Sequence, residues 1–214
     1  MSKHFKHSYQ PTPDLHLDNG IYTTSIDGLY YIKHQPHQDK RGFYSELARI
    51  PEIDSHLVKP FTIKQFNHSH SVANSIRGFH AESWRKLITI THGWAMSVLV
   101  DIRTGSKTFL KKEQFILGYS EHALTGSLFV LEGIANSFCV TEGEVDYIYS
   151  VDQLYRDRNT SGDQAVSLFD PDIGVTWPLD KDKMIISDRD QNATTLRQLH
   201  PEKFSQTTPN FTDN

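Results

Sequence analysis

The sequence predicts an all-β fold, an antiparallel sandwich or barrel. Short apolar stretches recur along the chain at close, regular spacing, and turn residues separate them. The chain shows no sustained helical period and no internal repeat. Its 214 residues, 22% charged and 37% hydrophobic, suit one long globular domain or two small ones, and a single β-rich domain often reaches this size.

The first part of the chain is polar before it becomes strand-like. Residues 1–28 are expected to form an N-terminal arm, ahead of a main domain over 29–190. A turn signal lies at 39–42, residues 50–59 are ambiguous with a possible helical turn, and residues 68–74 are expected to form a polar loop. The strands expected here are one or two within 21–32, then 43–47 and 61–67.

The second part alternates between apolar runs and turns. Residues 137–141 and 144–150, with Glu142 and Gly143 between them, have the pattern of a β-hairpin. Residues 185–190 are expected to end a strand, and the polar tail 191–214 has a possible short helix over 196–199. The other expected strands are 86–90, 94–102, 107–117 and 127–131.

Composition excludes several classes of protein. The net charge of −4, without a basic block, argues against a nucleic-acid partner. Cys139 is the single cysteine, so neither an intramolecular disulfide nor a CxxC metal site is possible. The N-terminal residues lack the apolar core of a signal peptide, and no stretch reaches transmembrane length. We therefore expect a cytoplasmic protein with no membrane partner.

Three cationic or titratable side chains flank one short apolar segment. Arg77 and His80 precede Lys86, which shares one face of an expected strand with Ile88 and Ile90. Burying such groups is costly without an anionic or polar ligand, which indicates an active site. Arg77 and His80 would face opposite sides of a regular strand, so we expect a bulge or a bend at Gly78 to bring both into one cavity.

Two further groups could complete this site. On the strand 144–150, Tyr147 and Tyr149 share a face, either as core packing or with one phenol acting as a proton donor in the cavity of His80. Asp190 could fix the tautomer of His80, because a carboxylate that meets a histidine does so. Spacing alone leaves open whether Asp190 meets His80 or is a solvated loop carboxylate.

Several short segments together resemble the dTDP-4-dehydrorhamnose 3,5-epimerases, which are cupin-fold enzymes of nucleotide sugars. The segments are DKRGFYSE (39–46), QFNHS (65–69), IRGFH (76–80), KLI (86–88), VDIRTGSKTF (100–109), IYS (148–150), FDPDIGVTWPL (169–179) and ISDRD (186–190). The resemblance implies a cupin-type jelly roll with short peripheral helices. It also implies a homodimer with strands exchanged between subunits.

The resemblance also implies an activity: epimerisation of a nucleotide-linked, dTDP-type 4-keto-6-deoxy sugar at C3, C5 or both, through an enolate and without a cofactor. His80 would be the base, Asp190 its orienting carboxylate, Tyr149 the acid on the opposite face, and Lys86 the group that stabilises the enolate. The implied substrate contacts are Arg41, Glu46, Gln65, Asn67, Arg77, Asn136, Asp163 and Arg189.

Two positions depart from the family pattern. Asn136, in GIANSF, stands where the family has histidine, and Ser97 stands where it has aspartate. The two positions resemble a partnered polar pair, so the substrate or the epimerised centre is expected to differ, or the change is neutral drift. A cupin metal site is not expected, because His68 and His70 lack a following glutamate at the required spacing and Asn136 replaces a ligand histidine.

Two alternatives stay open at this point. One is a sugar 3,4-ketoisomerase, which also transfers protons with histidine in a cupin fold; the arrangement of Arg77, His80 and Tyr149 speaks against it. The other is a protein that binds a sugar nucleotide without turnover.

Overall fold

The computed structural model describes residues 7–157 and 162–204, and its main feature is a pair of facing antiparallel β-sheets. The strands are β1 Ile21–Thr23, β2 Leu29–Lys33, β3 His37–Asp39, β4 Gly42–Tyr44, β5 Gln65–Val72, β6 Ile76–Ala81, β7 Lys86–His92, β8 Trp94–Asp101, β9 Lys112–Gly118, β10 Gly126–Val130, β11 Ile134–Cys139, β12 Glu144–Val151 and β13 Gln164–Ala165. The α-helices are α1 Ile50–Asp54, α2 Asp188–Gln191, α3 Leu196–Leu199 and α4 Pro201–Phe204.

The strand order defines a sandwich. One sheet has six strands in the order β1-β2-β10-β7-β12-β5, and the facing sheet has five in the order β13-β6-β11-β8-β9. The strands β3 and β4 form a separate hairpin. The expected all-β sandwich with short peripheral helices is therefore confirmed.

The main core lies between the two sheets. On β7, Ile88 and Ile90 point into it and Lys86 lies on the same face, as the alternation predicts, whereas Leu87 faces outward. The C-terminal segment covers the outer face of the five-stranded sheet, where Trp177 donates its indole N–H to the Leu168 carbonyl at 2.8 Å. The outer face of the six-stranded sheet is covered as well, since Leu87 and Phe129 pack there with Ile53 and Phe61. Each sheet therefore has packed side chains on both of its faces.

Two expectations about the strands are wrong. The predicted loop over 68–74 is mostly strand, because β5 continues to Val72 and pairs with β12 along its whole length. The predicted hairpin does not form: β11 pairs with β6 and β8, whereas β12 pairs with β5 and β7. The chain crosses from one sheet to the other at Gly143, and local alternation carries no information about such a crossing.

Two further strand boundaries differ for local reasons. The expected strand over 107–117 begins only at Lys112, because Ser106 Oγ and Thr108 Oγ1 donate to the buried Asp101 carboxylate at 2.5 and 2.6 Å and hold the chain in turns. The segment 185–190 ends in the short helix α2 rather than a strand, since Ser187 caps it by accepting from the Asp190 N–H at 3.3 Å.

The two ends of the described chain pack against the sandwich. Tyr9 is buried, with its ring 4.8 Å from that of Phe115, so this part of the expected arm contributes to the core. The expected helix over 196–199 is α3, and Thr195 begins it with a capping box. Residues 1–6 and 205–214 of the expected arm and tail lie outside the described residues. Within the described ranges, none of the helices is long and apolar enough to span a bilayer.

Candidate functional site

A cavity of about 270 Å³ opens between the two sheets at the ends of β6 and β7. Its walls come from both sheets, since β6 and β11 belong to one and β7 and β12 to the other. The lining side chains are Ser69, Arg77, His80, Glu82, Trp84, Lys86, Asn136, Phe138, Tyr147, Tyr149, Tyr155, Asp163 and Arg189. The cluster around His80 and Lys86 expected from the sequence therefore lines one cavity.

An irregularity in β6 places Arg77 and His80 on the same wall. In the pairing of β6 with β11, His80 lies opposite Asn136 and Arg77 opposite Phe138, so β6 has one residue more than its partner between these points. Gly78 has φ of 114°, and a Cβ there would lie 2.5 Å from the Asn136 carbonyl oxygen. The expected bulge is confirmed.

His80 and Asp190 form a short hydrogen bond at the cavity wall, with 2.6 Å between Nε2 and Oδ1. An ionised carboxylate only accepts, so Nε2 carries the proton and Nδ1 keeps the lone pair. Asp190 also accepts from the Gly78 N–H at 3.2 Å. Burial raises the pKa of Asp190, but the hydrogen bonds and charge of His80, with those from Gly78 and Ser187, outweigh burial and bring this pKa below its usual value.

Lys86 is buried, 5% exposed, and has two partners. Its ammonium group forms an ion pair with Glu82 and donates to Asn136 Oδ1 at 2.6 Å. An ammonium group has three donors, so two acceptors leave one N–H for a ligand. A buried cation held in this way can stabilise a developing negative charge in the cavity.

Both tyrosines of β12 face the cavity. Tyr147 is buried against Phe138, with ring centroids 4.4 Å apart and ring planes 13° apart. Tyr149 is partly buried, and the two tyrosine rings meet at 6.1 Å. Val145 lies in the core. Tyr147 belongs to the same core, so core packing and a place at the cavity are compatible on this strand. That one phenol donates a proton stays a prediction.

The rim of the cavity carries two arginines. Arg77 is exposed and donates from Nε to Ser71 Oγ at 3.0 Å, and Arg189 is exposed on α2. Asp163 and the exposed Tyr155 complete the rim with them. Guanidinium groups at an open rim suit an anionic group with several oxygens, such as a diphosphate.

The structure does not bring four of the expected substrate contacts to this cavity. Arg41 lies in the β3–β4 turn with its side chain 83% exposed and pairs with Asp39. Glu46 pairs with Arg49 at 2.6 Å beside a different cavity. Gln65 and Asn67 lie on β5, where Gln65 Nε2 donates to Asn67 Oδ1 at 2.6 Å, and neither lines the cavity of His80.

The two replaced positions are not bonded to each other. Asn136 bonds Lys86 and, through Nδ2, the Tyr147 hydroxyl at 3.3 Å. Ser97 pairs with Phe138 across β8 and β11, and its buried Oγ has no hydrogen-bond partner among the described residues. In the described structure each of the two replaced positions therefore faces a different neighbour.

The histidines considered for metal binding point away from the cavity. His68 Nε2 and His70 Nδ1 both bond Asp146 Oδ1 at 2.9 Å on the exposed face of the six-stranded sheet. Within residues 7–157 and 162–204, no group of three or more His, Cys, Asp or Glu side chains is placed to hold a metal ion.

Sequence reasoning overlooked Glu82 and left Tyr147 undecided. Glu82 lies two positions after His80, and alternation alone could have placed the two side chains on one face. No sequence signal points to Trp84 or Tyr155, which meet across the rim with ring centroids 6.3 Å apart, because they come from separate loops.

The family model described as dTDP-4-dehydrorhamnose 3,5-epimerase matches residues 23–198 of the chain. A relative of this name from Methanothermobacter thermautotrophicus is 30% identical over 179 residues, which cover 82% of this chain and 93% of the relative. Similarity thus extends over nearly the whole described sandwich.

Solved structures agree with the sequence comparison. A dTDP-6-deoxy-D-glucose-3,5-epimerase from Legionella pneumophila, in complex with dTDP-4-keto-L-rhamnose, matches with a TM-score of 0.74 and 28% identity over 85% of this chain and 95% of that one. A 3'-monoepimerase from Streptomyces bikiniensis, in complex with dTDP-quinovose, matches with a TM-score of 0.74 and 26% identity over 84% of this chain and 89% of that one.

These matches confirm the expected cupin-type fold and the expected enzyme class, an isomerase that epimerises a dTDP-linked sugar. They also agree with the two-sheet sandwich of this chain. The chain therefore belongs to the dTDP-4-dehydrorhamnose 3,5-epimerase family.

Proposed function

We propose that this protein epimerises a dTDP-linked 4-keto-6-deoxy sugar at C3, C5 or both by removing and returning a proton through an enolate. The observation that supports this most strongly is the His80–Asp190 pair, bonded at 2.6 Å, in one cavity with Lys86 and Tyr149. His80 projects from one sheet and Tyr149 from the other, so a sugar between them has a titratable group on each side.

His80 is the base that removes the proton. The imidazole takes the proton from the carbon beside the ketone, and the ionised Asp190 stabilises the imidazolium that forms. The pKa of Asp190, lowered by its bonds to His80, Gly78 and Ser187 against the effect of burial, keeps this carboxylate charged at neutral pH. Tyr149 then supplies a proton from the opposite face, which inverts the carbon.

The negative charge that develops on the ketone oxygen is stabilised by Lys86. Its ammonium group is already held by Glu82 and Asn136, so little reorganisation accompanies the reaction. Arg77 and Arg189 at the rim bind the diphosphate, and Asp163 contacts the substrate beside them.

We further infer a homodimer in which each subunit completes the site of its partner. The β3–β4 hairpin exposes Phe43 and Tyr44, which are 52% and 67% accessible, and β5 is an edge strand that exposes Phe66, which is 70% accessible. An unpaired edge strand and an exposed apolar hairpin favour pairing between chains. Such pairing would bring Arg41 and Glu46 of one subunit to the Gln65 and Asn67 edge of the other.

A cytoplasmic location is part of the same proposal. The single cysteine, Cys139, is buried and free, which suits a reducing compartment. Expression of the full chain followed by fractionation tests this.

Solvent exchange tests the activity directly. The protein is incubated with dTDP-4-keto-6-deoxyglucose in D₂O, and deuterium at C3 and C5 is followed by NMR. We expect exchange at one or both carbons; exchange at both identifies a 3,5-epimerase and exchange at one identifies a single-centre enzyme.

The alternatives give different spectra. Movement of the carbonyl from C4 to C3 would identify a 3,4-ketoisomerase. Tight binding of the sugar nucleotide without deuterium at either carbon would contradict the proposed turnover of this sugar and support a binding protein.

A further inference from the structure

A row of four polar side chains, Glu82, Lys86, Asn136 and Tyr147, crosses the buried end of the cavity, and the proposed function gives no role to Tyr147. Glu82 forms an ion pair with Lys86, and Lys86 Nζ donates to Asn136 Oδ1 at 2.6 Å. Asn136 Nδ2 lies 3.3 Å from the hydroxyl of Tyr147. Lys86 and Tyr147 are each 5% exposed, so the row is shielded from bulk water except through the cavity.

Lys86 determines which group donates and which accepts in each hydrogen bond of this row. An ammonium group only donates, so the Asn136 oxygen must face Lys86 and its NH₂ group must face Tyr147. The Tyr147 oxygen therefore accepts, and its own O–H hydrogen points elsewhere. Within residues 7–157 and 162–204, the hydroxyl of Tyr147 has no other hydrogen-bond partner, and Tyr147 is one of the residues that line the cavity. A buried hydroxyl needs an acceptor, and a ligand in the cavity can provide one.

Two features keep Tyr147 suited to donate. Burial, followed by the nearby Tyr149 and Glu82, raises the pKa of Tyr147 well above its usual value, so the phenol stays protonated at neutral pH. The stack on Phe138, with ring planes 13° apart, fixes the ring. The hydroxyl thus has a defined position before any substrate binds.

We propose that Tyr147 is a second hydrogen-bond donor, beside Lys86, to the substrate oxygen that becomes negatively charged in the enolate. Asn136 is the positioning residue that holds both donors, through its oxygen and its nitrogen. The Tyr147 proton stays on its oxygen throughout, and the donated bond strengthens as charge develops on the substrate. This inference rests on the proposed epimerase function, because that function supplies the enolate.

The variant Tyr147→Phe tests it, since it removes one oxygen and keeps the stacked ring. Removing one donor to a developing oxyanion lowers kcat by about 10²-fold. We expect that loss in the rate of deuterium exchange, with KM changed less than about threefold, because the interaction gains strength mainly in the transition state. Affinity for dTDP alone, measured by calorimetry, should match the wild-type value.

The variant Asn136→Leu tests the positioning residue. It should lower kcat, and adding Tyr147→Phe to it should cost much less than the product of the two single losses, since the two residues act as one unit. The matched control is Tyr31→Phe, which removes another buried hydroxyl; this one donates to the Thr125 carbonyl at 3.0 Å, outside the cavity. We expect its kcat to stay at the wild-type value.

The outcomes separate the two proposals. Exchange by the wild type together with a wild-type kcat for Tyr147→Phe, or a loss seen only in KM, would overturn the role of Tyr147 and leave the epimerase function standing. No exchange by the wild type would overturn the proposed function, and the role of Tyr147 with it.

Discussion

In the proposed reaction, the bond between His80 and Asp190 holds the base in place. Replacing His80 by alanine would leave a buried carboxylate without its partner, which costs stability as well as activity. Glutamine is the sharper substitution, because its amide N–H can still donate to Asp190 while the basic nitrogen is gone.

We predict that His80→Gln lowers the rate of deuterium exchange by about 10²- to 10⁴-fold, the usual contribution of a general base. Its melting temperature should stay close to that of the wild type, because the hydrogen bond to Asp190 is kept. NMR exchange and thermal unfolding measure the two effects. The control is His122→Gln, an exposed histidine outside the cavity. Exchange retained in His80→Gln would show that another group is the base.

The asparagine at position 136 gives the cavity different chemistry from the histidine that the family pattern has there. The resemblance implies histidine at this position, and an imidazole could itself take or give a proton. The carboxamide cannot titrate at neutral pH, but it accepts from Lys86 and donates to Tyr147 at the same time. The replacement thus exchanges a titratable group for a fixed pair of hydrogen bonds.

At the scale of one strand, the bulge in β6 places Arg77 and His80 on the same wall of the cavity. Gly78 has a backbone angle that favours glycine, and its N–H donates to Asp190. A methyl group there would meet the Asn136 carbonyl and the Ser137 side chain at 2.5 and 2.6 Å. The bulge therefore requires glycine at position 78, because a side chain there would be strained and would clash.

We predict that Gly78→Ala destabilises the fold by about 1–3 kcal/mol from backbone strain alone, with the close contacts adding to it. Exchange activity should fall by more than the loss of folded protein accounts for, because Arg77 and His80 no longer share a wall. Denaturant unfolding and NMR exchange measure the two. Gly105→Ala is the control, since no atom lies within 4 Å of a Cβ there. Equal activity per folded molecule in Gly78→Ala would contradict the role given to the bulge.

A buried histidine, His34, follows directly after β2 and lies beside β10. His34 Nε2 bonds Ser127 Oγ at 2.8 Å, and its Nδ1 has no partner in the described part of the chain. Burial lowers the pKa of His34, and the nearby Leu47 backbone carbonyl offsets this only in part. Between its folded pKa and the unfolded value of about 6.5, the unfolded chain binds more protons.

We therefore predict that the free energy of unfolding decreases as the pH falls below about 6.5. The variant His34→Gln, whose amide can replace Nε2 at Ser127, should show a smaller decrease over the same range. Denaturant unfolding at several pH values measures this, with His122→Gln as the control. Parallel pH profiles for the wild type and His34→Gln would show that His34 stays neutral in both states or is equally charged in both.

At the scale of the whole molecule, the proposed dimer gives Arg41 a place in the site of the partner subunit. In one chain it lies in an exposed turn, outside the cavity of His80. If the proposed strand exchange occurs, Arg41 serves the site of the partner, and defects in Arg41 and His80 can be separated between subunits.

We predict that Arg41→Ala and His80→Gln, each nearly inactive alone, recover activity when co-expressed. Random mixing makes about half of the molecules heterodimers with one intact site each, which gives about one quarter of wild-type activity. The control pairs His80→Gln with Asp190→Asn, which damage the same site and should show no recovery. No recovery in the first pair, with dimers verified by sedimentation, would place Arg41 outside the partner's site.

The sequence by itself determined the sandwich, most strand positions and the cluster of Arg77, His80 and Lys86 that lines the cavity. Alternation places Lys86 with Ile88 and Ile90, and the three-residue spacing of Arg77 and His80 requires a bulge, because both are local consequences of strand geometry. The polar face of β5 was mistaken for a loop, since an edge strand with one solvated side has little hydrophobic signal.

Only the tertiary structure decided which residues that are distant in the sequence come into contact. The bond between His80 and Asp190 joins positions 110 residues apart, and the row from Lys86 through Asn136 to Tyr147 joins three strands from both sheets. The crossing between β11 and β12 likewise depends on which sheet buries each strand. These contacts follow from packing of the whole chain, so no local pattern encodes them, and they turn a set of polar residues into one site.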